Sequence, residues 1–331
     1  MATAPKRRFI LLVPLVLRLV AALALAACRI DSTRALSVAS LQADDVQRFS
    51  EWSAPVNLGS PINSASNDQG AFISKDALSL YFVSTRPGGV GNQDIYVSHR
   101  ASVDDPWGPP LNLGPTINTN SNEASPTLSN DEHLLYFHSN RPGGLGGTDL
   151  YVSRRLDKRD DFGWQPPENL GSEINSSGNE RGLTLFEDEE TETITIYFDS
   201  DRPGGLGGVD LYSSALGPDG SFASAVLVAE LSSPVNDFLP AIRRDGLEIF
   251  LDSDRPGTVG LRDLWVSTRA STADPWSVPT NVGPLVNSAA LDARAMLSFD
   301  GRSLYFHSGR PGGLGDFDIY VSTRTKLKAP D

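Results

Sequence analysis

The sequence predicts an all-β protein, a five-bladed β-propeller of four-stranded antiparallel blades. Three observations predict it. Five aromatic residues, Trp52, Trp107, Trp164, Phe222 and Trp276, recur at spacings of 55, 57, 58 and 54. After each comes a stretch of the PVNLGSPIN or PLNLGPTIN kind, then an apolar run, then a phrase such as LYFHSNRPGGLGGTDLYVSRR. Gly and Pro are plentiful, 30 and 23 of 331 residues, and helix-length amphipathic runs are scarce. That is the pattern of short strands joined by turns, and a period above forty with four strand candidates per unit marks a propeller blade.

Each repeat supplies its strands in a fixed order. The innermost, such as ASPTLS, leads into a tight turn bearing Asp (SKDAL, SNDEH, RRDGL, SFDGR), and Asp-Gly suits a two-residue hairpin. The second strand is LYF-like and ends at the RPGG loop, whose glycines supply positive φ. The third is DLYVS. The fourth starts at the aromatic residue, which covers the outer hairpin and buries about 150–250 Å². The first repeat element in the chain is a fourth strand (52–58) and the last is a third strand (317–323). Five complete blades therefore require the N-terminal strand to close the ring by joining the last blade, which leaves no open edge. The predicted organisation is a signal peptide over 1–27, a flexible tether over 28–50 and one propeller over 51–331, expected to be a monomer.

The N-terminal segment reads as an address. Lys6, Arg7 and Arg8 precede an apolar run from Phe9 to Ala27 that ends in small residues, the pattern of an export signal. Leu25-Ala26-Ala27-Cys28 resembles the bacterial lipobox, which implies cleavage before Cys28 and lipidation of it. The other reading, an uncleaved membrane helix, is opposed by Arg18 and Pro14 within the run. Cys28 is the only cysteine, so no disulfide forms within the chain. Residues 29–50 are polar and unpatterned. Arg29 rather than Asp follows the cysteine. The expected location is the cell envelope, anchored by lipid in the outer membrane and facing the periplasm.

The net charge is -13, and the first 27 residues carry four positive charges and no acid, so the remainder carries -17. An acidic body of that size repels nucleic-acid phosphates, and no nucleic-acid partner is expected. Nucleophile elbows, P-loops, HExxH and CxxC patterns are absent from the sequence.

Repeats carry an internal control, because residues common to all blades build blades. Every copy keeps an arginine and, eight residues on, an aspartate: Arg86/Asp94, Arg141/Asp149, Arg202/Asp210, Arg255/Asp263 and Arg310/Asp318. An acidic column, Asp68, Glu123, Glu180, Asp237 and Asp292, stands at the start of the inner strands. It is expected at the mouth of the central channel, where five carboxylates repel one another unless partnered. Two readings stay open. One is a structural network in which the RPGG arginine and the DLY aspartate clip the blades. The other is a divalent-cation site, Ca²⁺ by its all-oxygen ligands, or a partner site. A second column varies: Val83, His138, Asp199, Asp252 and His307. It is expected to make His–Asp hydrogen bonds between blades, with chemistry the lesser reading.

The motif LYF-x-S-x-RPGG-x-G-x-x-DLY resembles the WD-like propeller repeat of the TolB type over residues 52–324. The resemblance implies a periplasmic or outer-membrane-associated role, although that type is six-bladed in TolB itself and often fused to a peptidoglycan-binding domain. The expected function is a scaffold that binds an envelope protein or glycan through one propeller face. The alternative is a glycoside hydrolase or other carbohydrate-active enzyme, with Glu123 and Glu180 as the acid pair.

Overall fold

The computed structural model describes residues 49–327. Within them β1 (Val56–Asn57) comes first. The first complete run is β2 (Asp68–Ile73), β3 (Ser79–Ser84), β4 (Asp94–His99) and β5 (Leu111–Asn112). The second is β6 (Glu123–Leu128), β7 (Leu134–Ser139), β8 (Asp149–Arg154) and β9 (Glu168–Asn169). The third is β10 (Glu180–Asp188), β11 (Thr193–Ser200), β12 (Asp210–Ala215) and β13 (Val226–Leu227). The fourth is β14 (Asp237–Ile242), β15 (Glu248–Ser253), β16 (Asp263–Thr268) and β17 (Thr280–Asn281). Three strands end the chain: β18 (Asp292–Leu297), β19 (Ser303–Ser308) and β20 (Asp318–Thr323). They form five four-stranded antiparallel sheets, and the fifth has the order β1-β20-β19-β18. The five-bladed propeller is thus observed, with the ring closed by the N-terminal strand. Val56 pairs with Val321 and Asn57 with Tyr320.

The repeated letters have definite structural work. Phe82, Phe137, Phe198 and Phe306 are wholly buried between blades. In four blades the RPGG arginine lies over an aromatic pair of its own blade, as Arg141 does over Phe137 and Tyr151, both 5.1 Å from the ring centroids, and in the fourth blade Arg255 lies over Trp265 alone. The asparagines of NLG…IN act as clips. Asn112 Nδ2 donates to Asp94 Oδ2 at 2.9 Å, and Asn118 holds both backbone groups of Ile95 at 2.8 and 2.9 Å. The outer aromatic residues lie under a further arginine that ends the third strand: Arg100 over Trp107 and Arg155 over Trp164, each at 4.4 Å.

Glycine is required where blades touch. A Cβ on Gly91 would press into the backbone carbonyls of Ser121 and Thr119 on the link into the next blade, and Gly146, Gly207, Gly260 and Gly315 stand in the same way.

One local feature shapes the centre. Every inner strand carries a β-bulge two residues after its acid. In β2 the pairing shifts between Gln69 and Phe72, and the same shift recurs in β6, β10, β14 and β18. The bulged residues Gly70, Ser125, Gly182, Leu239 and Arg294 all have positive φ, from 49° to 62°. Only two are glycine. The left-handed backbone held by Ser125, Leu239 and Arg294 is costly for side-chain-bearing residues and clusters at functional sites.

Candidate active site in the central chamber

The conserved columns come first. Register aligns Asp68 with Ser84 and Ser84 with Asp94, and the same triplet recurs in each blade. Asp68, Glu123, Glu180, Asp237 and Asp292 are each 0% exposed. Each pairs with the RPGG arginine of its blade: Arg86–Asp68 at 2.7 Å, Arg141–Glu123 and Arg202–Glu180 at 3.2 Å, Arg310–Asp292 at 2.6 Å, and Arg255–Asp237. In four of the five the remaining acceptor sites are also used. Glu123 takes the Thr119 amide at 2.7 Å and the Thr119 and Ser139 hydroxyls, both at 2.8 Å. Glu180 takes the equivalent groups of Ser176 and Ser200. These bonds bind the incoming link to the loop that leaves the second strand.

The expected open acidic ring at the channel mouth is therefore corrected. The acids turn into their own blades and none lines the central chamber. In four blades the carboxylate holds its arginine and hydroxyl donors that leave no vacant oxygen for Ca²⁺ or a partner, whereas Asp237 holds Arg255 alone and its Oδ2 has no hydrogen-bond partner. Glu123 and Glu180 are corrected as an acid pair on the same ground. Among the described residues no three His, Cys, Asp or Glu side chains are grouped to hold a metal ion. The DLY aspartates bind loop amides and asparagine rather than arginine. Asp149, for example, accepts from Leu145 at 2.5 Å, Gly146 at 3.0 Å and Asn169 at 2.8 Å.

The variable column points the other way. A chamber of about 290 Å³ lies at the propeller's centre, beside the starts of the inner strands. Its lining includes Gln69, His138, Arg181, Asp199, Arg262, Arg294 and His307. The bulge opens the inner strand there, so second-strand side chains reach the centre. No His–Asp hydrogen bond forms within this column among the described residues, and His138 Nδ1 shares a hydrogen bond with Ser125 Oγ at 2.7 Å. Instead the aspartates accept backbone bonds across the blade boundary. Asp199 Oδ1 takes the amide of Leu239 at 3.2 Å, and Asp252 Oδ1 takes that of Arg294 at 3.0 Å. The strained bulge residues thus present amides to the acids of the preceding blade.

The two aspartates are held differently. Asp252 accepts a second, charge-assisted bond from Arg262 Nη1 at 2.9 Å, and Arg262 lies flat on Phe238, 3.9 Å from the ring centroid. Asp199 has Arg181 beside it, with Nε 3.5 Å from Oδ2, but no hydrogen bond joins them. Burial pushes the Asp199 carboxyl up to about 6, against the pull of Arg181 and the Leu239 amide. Burial also raises Asp252, against the opposing charge and hydrogen bond of Arg262. Burial, with Arg294 and Arg181 nearby, holds His138 well below the usual histidine range, and burial with Arg294 and Arg262 takes His307 down to about 3. Both imidazoles are neutral at ordinary pH.

Polar dissatisfaction concentrates here. Among the described residues eight buried side-chain polar atoms lack a hydrogen-bond partner, and three of them, Arg181 Nε, Asp199 Oδ2 and His307 Nδ1, surround this chamber. Such groups are rare in folded proteins and mark sites where something else binds. The chamber opens to solvent beside them, where the Arg181 and Arg262 side chains are 32% and 27% exposed.

No protein-family model matches the chain, and no curated protein resembles it in sequence. Solved structures do resemble its fold. An α-L-arabinofuranosidase from Lactobacillus brevis superposes with a TM-score of 0.56 at 14% identity, over 80% of this chain and 92% of its own. The α-L-arabinofuranosidase PaAbf62A from Podospora anserina, solved with cellotriose, gives 0.51 at 14% identity, over 85% and 98%. A thermostable family-43 glycoside hydrolase gives 0.53 at 11% identity, over 82% and 93%. At these identities the likeness is one of fold. It corrects the expectation of a binding scaffold, because the propellers this one resembles are glycoside hydrolases, and the carbohydrate-active alternative is the reading carried forward.

Proposed function

We propose that the protein is a carbohydrate-active enzyme that hydrolyses a glycosidic bond in the central chamber, through Asp199 and Asp252. The observation that carries the reading is a pair of buried aspartates, Asp199 in the chamber lining and Asp252 bonded to the lining residues Arg262 and Arg294, held so differently that they divide the work of acid and carboxylate. Asp199, with one amide bond and a carboxyl that titrates near 6, is the proton donor to the departing sugar oxygen. Asp252, fixed by Arg262 and the Arg294 amide, is the carboxylate that faces the positive charge developing on the ring. The fold of the solved arabinofuranosidases supports the same class.

The enzyme is further proposed to work outside the cytoplasm, in the cell envelope, tethered through lipid on Cys28. The supporting residues, Lys6 to Cys28, lie outside the described residues, as do the tether positions up to Arg48. The TolB-type affinity of the repeat is supported by its LYF…RPGG…DLY motif. Loss of radiolabelled fatty-acid incorporation in Cys28→Ala is the expected outcome for the anchor, and undiminished incorporation would contradict it.

The hydrolase is tested by reducing-sugar release from a panel of plant and bacterial polysaccharides at pH 5. Release from at least one substrate class is expected. No release from any would set the reading aside.

A further inference from the structure

The chamber holds more positive charge than its own acids neutralise. Arg181, Arg262, Arg294 and Asp199 line it, Asp252 is bonded to Arg262, and both histidines are neutral. This excess sits inside a body that carries -17 outside the N-terminal segment. Arg262 is engaged by Asp252 and by Phe238. Arg181 reaches only loose ion pairs, at 3.5 Å to Asp199 and 3.8 Å to Asp201. The Arg294 guanidinium makes neither a hydrogen bond nor an ion pair among the described residues. It reaches from the fifth blade toward the first, where the chain has glycine. A Cβ on Gly70 would lie 2.9 Å from Nη1. Glycine at position 70 therefore admits the guanidinium itself, and the arginine stands on a backbone with φ of 62°. A chamber-lining guanidinium with no hydrogen bond or ion pair of its own suits an anion supplied from outside.

We propose that the chamber selects a sugar bearing a carboxylate, a uronic acid residue, with the Arg294 guanidinium as its fork and Arg181 beside it. The planar fork matches a carboxylate in two parallel bonds. At pH 5 the Asp199 carboxyl, which burial raises to about 6, is mostly protonated, so the three guanidiniums face only the carboxylates of Asp252 and Asp201 and the chamber favours an anionic substituent. A volume of about 290 Å³ equals the liquid share of roughly ten waters, which suits one sugar ring with its substituents. This inference rests on the hydrolase reading and names its substrate class.

The test is calorimetric titration of the full chain at pH 5 with glucuronate and galacturonate, against glucose and galactose, with sodium sulfate as the inorganic control. The uronates are expected to bind about tenfold or more tighter than the neutral sugars. The preference is expected to vanish in Arg294→Met and to weaken in Arg294→Lys, which keeps charge without the fork. Equal binding of uronates and neutral sugars, or a preference that survives Arg294→Met, overturns the proposal. Sulfate binding as tight as the uronates would also overturn it, leaving a plain anion site. The two readings fail separately. A uronate preference without cleavage of any uronic-acid glycoside removes the hydrolase and leaves the binding site. Cleavage of neutral glycosides only removes this inference and leaves the hydrolase.

Discussion

Replacing Asp199 by asparagine isolates the cost of keeping an acid in the chamber. Burial moves its carboxyl from 3.8 to about 6. A raised carboxyl binds its proton more tightly in the folded protein than in the unfolded chain. Its contribution to stability is full below pH 3.8 and is lost as pH rises through 6. A shift of about two pH units at ~1.36 kcal/mol each amounts to about 3 kcal/mol. Asparagine keeps an acceptor for the Leu239 amide and removes the titration. Asp199→Asn is therefore expected to gain about 3 kcal/mol relative to wild type between pH 4 and pH 8. The assay is urea unfolding of both proteins across that range, read as the difference in unfolding free energy at each pH. A difference that stays constant with pH would mean that Asp199 titrates alike in both states, and the reasoning that makes it a proton donor would fall.

Three further outcomes test the scaffold. Arg86→Ala leaves Asp68 buried without its counter-charge and is expected to lower stability by about 3–5 kcal/mol in chemical unfolding. Gly91→Ala drives a methyl into the carbonyls of Ser121 and Thr119 and is expected to cost about 1–3 kcal/mol. Gly114→Ala, with open space around the Cβ position but φ of 80°, tests the backbone cost alone and is expected to be milder. Removal of residues 1–58 takes away β1 and leaves β20 as an open edge. That protein is expected to elute as oligomers in size-exclusion chromatography, and a stable monomer would show that closure by β1 is dispensable.

The fold was legible because the repeat is written five times. Residues such as Phe82, Arg86 and Asp94 keep their columns because each blade needs the same buried aromatic, ion pair and loop clip. The site was half legible, for the same reason reversed. The column of Val83, His138, Asp199, Asp252 and His307 varies, and variation is what flags a function-bearing position in a repeat. The arginines escaped notice although they also sit in varying columns. Arg181 shares its place with Gln69, Ala124, Phe238 and Ala293, Arg262 with Gln93, Thr148, Val209 and Phe317, and Arg294 with Gly70, Ser125, Gly182 and Leu239. The physical obstacle was the bulge. Simple alternation from Asp68 aims the acids at the channel and keeps the second strand behind the inner one. Two residues opposing one in each inner strand break that alternation, and no short motif announces it, since Leu239 and Arg294 hold the left-handed position as Gly70 does.

The central claim is that chemistry belongs to the chamber and its Asp199. The most direct measurement is kcat/KM of wild type and Asp199→Asn on the best-cleaved glycan of the panel, from pH 4 to pH 8. The wild-type rate is expected to fall as pH rises through about 6, where Asp199 loses its proton, and the variant is expected to lose at least about 100-fold. A folded Asp199→Asn enzyme with the wild-type rate and pH profile would contradict the claim.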